Sequence, residues 1–432
     1  MENPYIQYMY SYPHKTAYGP LEGIHIKDYI HRLSGTKNSL YFHIPFCQSK
    51  CGYCNLFSVT GQSERFMTSY VDAMERQAIQ LAEIMPEDVT FTDLTLGGGT
   101  PLLLPTDQLE RIFLLAKKYM GFENGDIIVE TSPSQTTEEK IAILQKYQVT
   151  RVSMGVQSFH DEELLTLNRS HQVAEVERAV SILKKADFPC MNLDLIYGIP
   201  GQTLESLLES AKRAVAYEPE ELFVYPLYIK KGTYLAVKGT VRPETTYEMY
   251  LALRDYLKRE GYEPLSMRRF VKNKKRTSEA SCGFDNTISI GCGGRSYMGN
   301  LHFCTPFAVR QSGCLEILKG YMEQKDFLQV NHGYILSDEE KKRRYVIKNI
   351  LFGQGVDKEE YNQLFGDTPE EDYPVIKEWV QRCEAVSDKK RIYLTEKGFS
   401  LSDMLGPMLI SKEVKDKMCG SEISPFENGG ML

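Results

Sequence analysis

The sequence predicts an α/β fold built on a parallel sheet, and three observations point to it. Between about residues 36 and 230, short β-rich runs alternate with longer stretches of helical periodicity. Repeated βα units with both sheet faces covered make the neighbouring strands parallel. The polar and glycine-rich motifs follow directly after the strand-like runs, where ligands gather in such folds. Strands are predicted at residues 40–44, 94–96, 126–131, 151–155, 191–197 and 221–228, six in all, with amphipathic helices between them. In the first helix Phe66, Tyr70, Met74, Ala78 and Leu81 recur at spacings of four and three, which lines one face for burial. Periodicity leaves open whether the sheet is doubly wound or curled into a full or partial barrel.

Residues 1–35 form an N-terminal segment, and residues 36–240 carry the βα units. Residues 241–332, with glycine-rich SIGCGGRSYMGN in their middle, read as an irregular extension completing one side of the core. From 333 to 425 the pattern is helical again, as a small C-terminal domain. There YLTEKGFSLSDMLG predicts a short strand, a turn at Lys397 and Gly398, and a helix.

A chain of 432 residues buries a large core and accommodates two or three domains. With 42% hydrophobic and 25% charged residues it falls in the globular range. No stretch approaches the roughly 20 apolar residues of a membrane span, and the start lacks the features of a secretory signal. A cytoplasmic protein that engages no membrane is expected. The net charge of -7 gives no general attraction to nucleic acid. Arg268, Arg269, Lys272, Lys274, Lys275 and Arg276 read as a solvated loop able to meet an anion. Ten cysteines in a reducing compartment direct attention to metal or redox chemistry before disulfides.

Cys47, Cys51 and Cys54 stand in a CxxxCxxC arrangement immediately after the first predicted strand. A four-iron cluster normally takes four cysteines, so a local set of three leaves one iron open to another ligand. The alternative is a zinc site completed by His43 or a distant cysteine. Read with its flanks, HIPFCQSKCGYC resembles the start of radical S-adenosylmethionine (SAM) enzymes, in the group of oxygen-independent coproporphyrinogen III oxidase and the related heme chaperone.

That resemblance implies a [4Fe-4S] cluster on Cys47, Cys51 and Cys54, with SAM chelating the open iron. It also implies a partial six-unit βα, TIM-like barrel with the irregular extension and a helical, winged-helix-like C-terminal domain. In LTLGGGTPLLLP, Gly98, Gly99 and Thr100 are then expected against the methionyl part of SAM. Glu130 in VETSP, Gln157 in MGVQSF, Arg169 in LNRSH and Asp194 in NLDLIYGIP match SAM-contact positions, and Tyr41 matches a position near SAM. Tyr53 and Ile196 match positions near a second SAM site. The residue types suit these roles: carboxylates accept from ribose hydroxyls or the ammonium, and arginine pairs with a carboxylate.

By resemblance the activity is that of a coproporphyrinogen III dehydrogenase-like oxidoreductase of porphyrin biosynthesis, acting on propionate side chains. The partners implied are a tetrapyrrole substrate and a low-potential electron donor such as flavodoxin. Residues 1–35, with their many tyrosines, are candidates for substrate contacts. The alternatives are a heme-binding chaperone, with His171 or a nearby residue as ligand, and a radical methyltransferase or cyclopropanating enzyme using a second SAM. Cys282, Cys292, Cys304 and Cys314 are spaced too widely to suggest a second cluster, and Cys190, Cys383 and Cys419 carry no site signal. His160, His171 and His302 read as packing or hydrogen-bonding residues before acid-base groups.

Overall fold

The computed structural model describes residues 4–272, 285–352, 354–421 and 426. Six parallel strands run side by side in chain order: Asn38–Ile44, Asp93–Gly98, Asp126–Thr131, Arg151–Gln157, Cys190–Tyr197 and Glu221–Pro226. The sixth stops at Pro226, two residues earlier than the sequence predicts, because proline has no N–H for the ladder. Among the described residues the sheet does not close on itself, which makes the barrel a partial one. Across its mouth the Leu235 N–H, beyond the sixth strand, donates to the Gly52 carbonyl, beyond the first, at 2.9 Å.

The helices between the strands follow the expected amphipathic logic. Glu64–Ile84 starts at Ser63, whose hydroxyl accepts from the Phe66 N–H, and buries Tyr70, Met74, Ala78 and Leu81 against the sheet. Thr106–Met120 ends at Gly121, where the backbone turns left-handed at φ 64°. Leu204–Ala216 begins with a reciprocal cap between Thr203 and Ser206.

Residues 241–332 are not the irregular extension that the sequence suggests. They hold the helices Thr246–Arg259 and Gln311–Glu323 and a seventh parallel strand, Asn286–Ile290, beside the first. Antiparallel strands Arg295–Met298, Leu301–Cys304, Gln329–Ile335 and Gly19–His25 continue that edge. The helix at 246 was obscured because its buried face, Met249, Tyr250, Leu253 and Leu257, is interrupted by tyrosines and charges that blur the period.

The C-terminal region is helical, with a small antiparallel sheet of Val356–Asp357, Arg391–Leu394 and Ala385–Ser387. Lys397 and Gly398, expected in a turn, lie in the helix Glu396–Ser400. Glycine is required there by contact, since a Cβ at Gly398 would stand 1.9 Å from the Glu384 carbonyl oxygen. Ile347, Ile350, Tyr361, Trp379, Leu405 and Val414 form this second core, and Met9, Tyr12 and Tyr18 of the N-terminal segment insert into it.

The basic run is not wholly a solvated loop either. Arg268 is 2% exposed and ion-paired with Asp403, which is 1% exposed, while Tyr228 donates to the same carboxylate. Arg269 pairs with Glu221 and Lys272 is exposed; Lys274, Lys275 and Arg276 lie outside the described residues. The Arg268 guanidinium also lies 3.8 Å from the centre of the Tyr8 ring, so this pair joins the barrel, the N-terminal segment and the C-terminal helices. Asp403→Ala, which strands a buried guanidinium, is expected to destabilise the protein by about 3–5 kcal/mol. A lower urea midpoint, followed by the fluorescence of Trp379, the chain's one tryptophan, checks it.

Candidate functional site

The thiols sit on a loop that the fold holds from several sides. Phe46–Cys47 pairs with Val59–Thr60 in a short parallel ribbon, which closes the loop at its base. Within it the Cys54 N–H donates to the Cys51 carbonyl at 3.1 Å. The Gly52 N–H reaches the Leu167 carbonyl at 2.8 Å, and the Lys50 ammonium reaches that of Val309 at 2.6 Å. Cys47, Cys51 and Cys54 are all half-buried and free of disulfides.

Thr100 and Arg169 reach two of the sulfurs. The Thr100 hydroxyl lies 3.9 Å from Cys47 Sγ, and Arg169 Nη1 donates to Cys51 Sγ at 2.9 Å. The second Arg169 nitrogen donates to the Gly155 carbonyl at 2.7 Å. Burial pushes the Cys54 thiol up to about 12 and also raises Cys47. Such thiols become thiolates when a metal centre draws off their protons. Among the described residues no three His, Cys, Asp or Glu side chains converge as for a single metal ion. A four-iron cluster binds one thiolate per iron and spreads its ligands, so this donor set fits a cluster. His43, the candidate fourth zinc ligand, is committed elsewhere: Nδ1 lies 3.2 Å from Tyr41 Oη and Nε2 lies 3.2 Å from the Phe57 carbonyl.

The glycine run packs against this loop. A Cβ at Gly99 would stand 2.6 Å from the Phe46 carbonyl and 2.9 Å from Cys47 Sγ, and one at Gly98 would stand 2.8 Å from the His43 ring. Any side chain here displaces the cysteine loop. The Gly98 N–H donates to Glu130 Oε2 at 3.1 Å, and a Cβ at Gly97 would meet both Glu130 and Tyr41. Gln157, in the left-handed region at φ 72°, folds its amide back over Gly155, beside Arg169. Asp194 faces Gly155 in register on the next strand and accepts from Asn192 Nδ2 at 2.8 Å. Burial pushes the Asp194 carboxyl up to about 7, opposed by the Asn192 hydrogen bond and assisted by nearby Glu130. Glu130 opens onto the mouth, yet lies among enough protein for burial to raise its carboxyl.

Tyr41, Gly98, Gly99, Thr100, Glu130, Gln157, Arg169 and Asp194 are thus gathered with the thiols at one end of the barrel. Tyr53, whose surroundings include Arg169, Cys51, Cys54 and Asp194, also packs against an apolar cluster of Ile196, Leu167, Ile199, Leu227 and Leu235.

Most of the other candidates have local partners, although neither ring nitrogen of His302 has a hydrogen-bond partner among the described residues. His160 Nε2 lies 3.1 Å from the Ser206 carbonyl, while His171 and His302 are buried and held below their usual range by that burial. Cys292 donates to the Thr305 hydroxyl at 3.7 Å, and Cys314 to the Ala308 carbonyl at 3.2 Å. Cys304 lies 4.0 Å from His332 Nδ1, and Cys282 lies outside the described residues. Sequence reasoning missed Tyr225, whose surroundings include Asp194 and Glu130, and Tyr8, whose ring lies 6.3 Å from it. The tyrosine-rich start was the available signal, but nothing local told which tyrosine reaches the mouth.

Residues 41–214 match the radical SAM superfamily. Those residues make up a radical SAM domain. The chain is 27% identical over 380 residues to the heme chaperone HemW of Lactococcus lactis subsp. lactis (strain IL1403), covering 85% of this chain and 95% of the relative. It is 30% identical over 237 residues to the oxygen-independent coproporphyrinogen-III oxidase-like protein HemZ of Bacillus subtilis (strain 168), covering 52% and 47%. Its fold matches that of the coproporphyrinogen III oxidase HemN from Escherichia coli with a TM-score of 0.78 and 22% identity, over 89% of this chain and 92% of that one. The superfamily uses a [4Fe-4S] cluster and SAM. No described helix is long and apolar enough to cross a membrane.

If Asp194 contacts SAM, its titration governs the affinity. The carboxyl is neutral below about 7 and a carboxylate above it, so its power to accept hydrogen bonds grows as pH rises through that value. SAM binding, measured by equilibrium dialysis on cluster-loaded protein, is expected to tighten from about pH 6 to about pH 8. In Asp194→Asn that dependence flattens.

Proposed function

We propose that this radical SAM protein reductively cleaves SAM and acts on a tetrapyrrole, with oxidative decarboxylation of coproporphyrinogen III propionates as the leading reaction. A reduced cluster with SAM bound here would supply the radical chemistry for hydrogen abstraction from the substrate. The observation that carries the reading is the gathering of the three thiols, the glycine run and Arg169 at one barrel mouth.

In this reading Cys47, Cys51 and Cys54 are the residues that would hold the cluster. The Arg169 guanidinium, beside Cys51, offsets thiolate charge and pairs with the SAM carboxylate. Gly98, Gly99 and Thr100 leave the backbone open to the methionyl part. Glu130 and Asp194 accept from ribose hydroxyls or the ammonium, Gln157 adds an amide from the fourth strand, and Tyr41 stands beside Glu130. Tyr53 and Ile196 border the space for a second SAM molecule. Tyr8 lies over the mouth beside Tyr225 and limits the access of water. A low-potential donor such as flavodoxin supplies the electron.

A second reading, a heme chaperone, is supported by the relative of that name, whose similarity spans 85% of this chain. Mass spectrometry of anaerobic reactions with SAM and coproporphyrinogen III separates the two. Substrate-dependent 5′-deoxyadenosine and loss of carbon dioxide from the porphyrinogen are expected of the enzyme. An unchanged porphyrinogen together with stoichiometric heme binding would instead establish the chaperone, and a mass gain of one carbon would indicate methyl or methylene transfer.

A further inference from the structure

The segments packed around the thiol loop differ in charge from the rest of this acidic chain. The Gly52 N–H donates to the Leu167 carbonyl at 2.8 Å, and the Gly52 carbonyl accepts from the Leu235 N–H at 2.9 Å, so residues 164–174 and 227–243 flank the loop on two sides. Asn168 Nδ2 donates to the Lys50 carbonyl at 3.1 Å. The Lys50 ammonium reaches the Val309 carbonyl, and a Cβ at Gly232 would stand 3.7 Å from Val309, which brings residues 305–315 to a third side. Neither the loop, residues 45–63, nor any of these three segments contains an aspartate or a glutamate. In a chain with 58 acidic residues against 51 lysines and arginines, that is a local reversal of charge. The carboxylates closest to these bounds are Glu64, Glu163, Glu175, Glu244 and Glu316, and Glu163 is buried in hydrogen bonds to Ser158, Gln202 and Ser206.

The cations of this collar reach the surface. Lys231, Lys238 and Arg310 are exposed, and Lys50 is half-buried. Among the described residues none of the four meets a carboxylate: Lys50 is held by backbone carbonyls, and the Lys238 ammonium lies 4.6 Å from the centre of the Tyr234 ring. Apolar side chains stand out between them. Val237 is 80% and Leu165 78% exposed, and Tyr234 and Leu56 project as well. In the short helix Tyr234–Val237, Leu235 is the buried residue and packs in the apolar cluster beside Tyr53. An apolar centre with a rim of one sign is the anatomy of an interface, here with an acidic partner. What lies beneath identifies that partner. An electron must reach the thiols from outside, and the thiol loop itself surfaces within the collar, at Gln48 and Leu56. Redox partners associate through small, transient interfaces of this kind.

We propose that this collar docks an acidic, low-potential electron-carrier protein, with Lys231, Lys238 and Arg310 steering it and Tyr234 and Val237 forming the contact. One electron passes from the donor to the cluster; no bond forms or breaks. This rests on the radical reading of the three thiols and adds the place where their reductant binds.

The probe is reduced flavodoxin, an acidic flavoprotein, mixed anaerobically with cluster-loaded protein while the bleaching of the cluster's visible absorbance is followed by stopped flow. In the parent, reduction is expected to slow as added salt screens the attraction. Lys231→Glu combined with Lys238→Glu is expected to lower the second-order rate about tenfold, a usual scale for reversing charges that steer a protein encounter. Lys238→Arg keeps the parent rate. So does Lys212→Glu, at an exposed site on the helix Leu204–Ala216, which alters net charge away from the collar. Photoreduced deazaflavin, a small reductant that needs no docking surface, is expected to reduce parent and charge-reversed protein equally fast. The proposal is overturned if deazaflavin reduces the parent and flavodoxin does not, if salt leaves the flavodoxin rate unchanged, or if the reversed variant is reduced by flavodoxin like the parent. It is also overturned if the reversal slows deazaflavin equally, which puts the damage in the cluster and not the surface. A reversal that abolishes binding to phosphatidylglycerol vesicles yet leaves reduction by flavodoxin intact overturns it too, since the collar is then a membrane contact. Protein that takes up no cluster fails the radical reading itself, whereas a cluster reduced by deazaflavin alone fails the docking proposal and leaves that reading standing.

Discussion

Arg169 holds Cys51 Sγ with one nitrogen and the Gly155 carbonyl with the other, and through that guanidinium the thiol loop is fixed to the fourth strand. The loop has little secondary structure of its own. Its shape comes from contacts on every side: the ribbon at Cys47, the Leu167 and Val309 carbonyls, and the glycine run pressed against Phe46 and Cys47. Strand ends are rigid, and a loop fastened to several of them keeps three thiols in place through changes of charge that would otherwise scatter them. Glu130, Gln157 and Asp194 reach the same space because each sits at or near the end of a neighbouring parallel strand.

Beyond that mouth the chain adds a cover. The N-terminal segment is shared between the two cores, with Tyr5 in the barrel cluster and Met9 and Tyr12 in the C-terminal one. Arg268, Asp403 and Tyr228 fasten barrel to C-terminal helices beneath Tyr8. The C-terminal region therefore holds the segment that carries Tyr8, whose ring lies beside Tyr225. A buried ion pair is an expensive fastener, and its use here suits a joint that must have one geometry.

What could be read in the sequence was what local spacing encodes. The cysteine triplet, the glycine run and the six strands were legible because each is written within a few residues. Arg169 was legible only as a matched position; its contact with Cys51 spans 118 residues and no local pattern announces it. The pair Arg268–Asp403, 135 residues apart, was hidden in what looked like an exposed basic run. Gly398 was misread because glycine serves close packing as well as turns, and only the neighbouring Glu384 carbonyl tells which.

The central claim is that Cys47, Cys51 and Cys54 hold a four-iron cluster with one iron open to SAM. Electron paramagnetic resonance of the anaerobically reconstituted, reduced protein, recorded without and with SAM, tests it most directly. The account predicts a reduced-cluster signal whose g-values move on addition of SAM, as the open iron gains a ligand. A signal indifferent to SAM, or protein that binds zinc in place of iron and gives no signal at all, would contradict it.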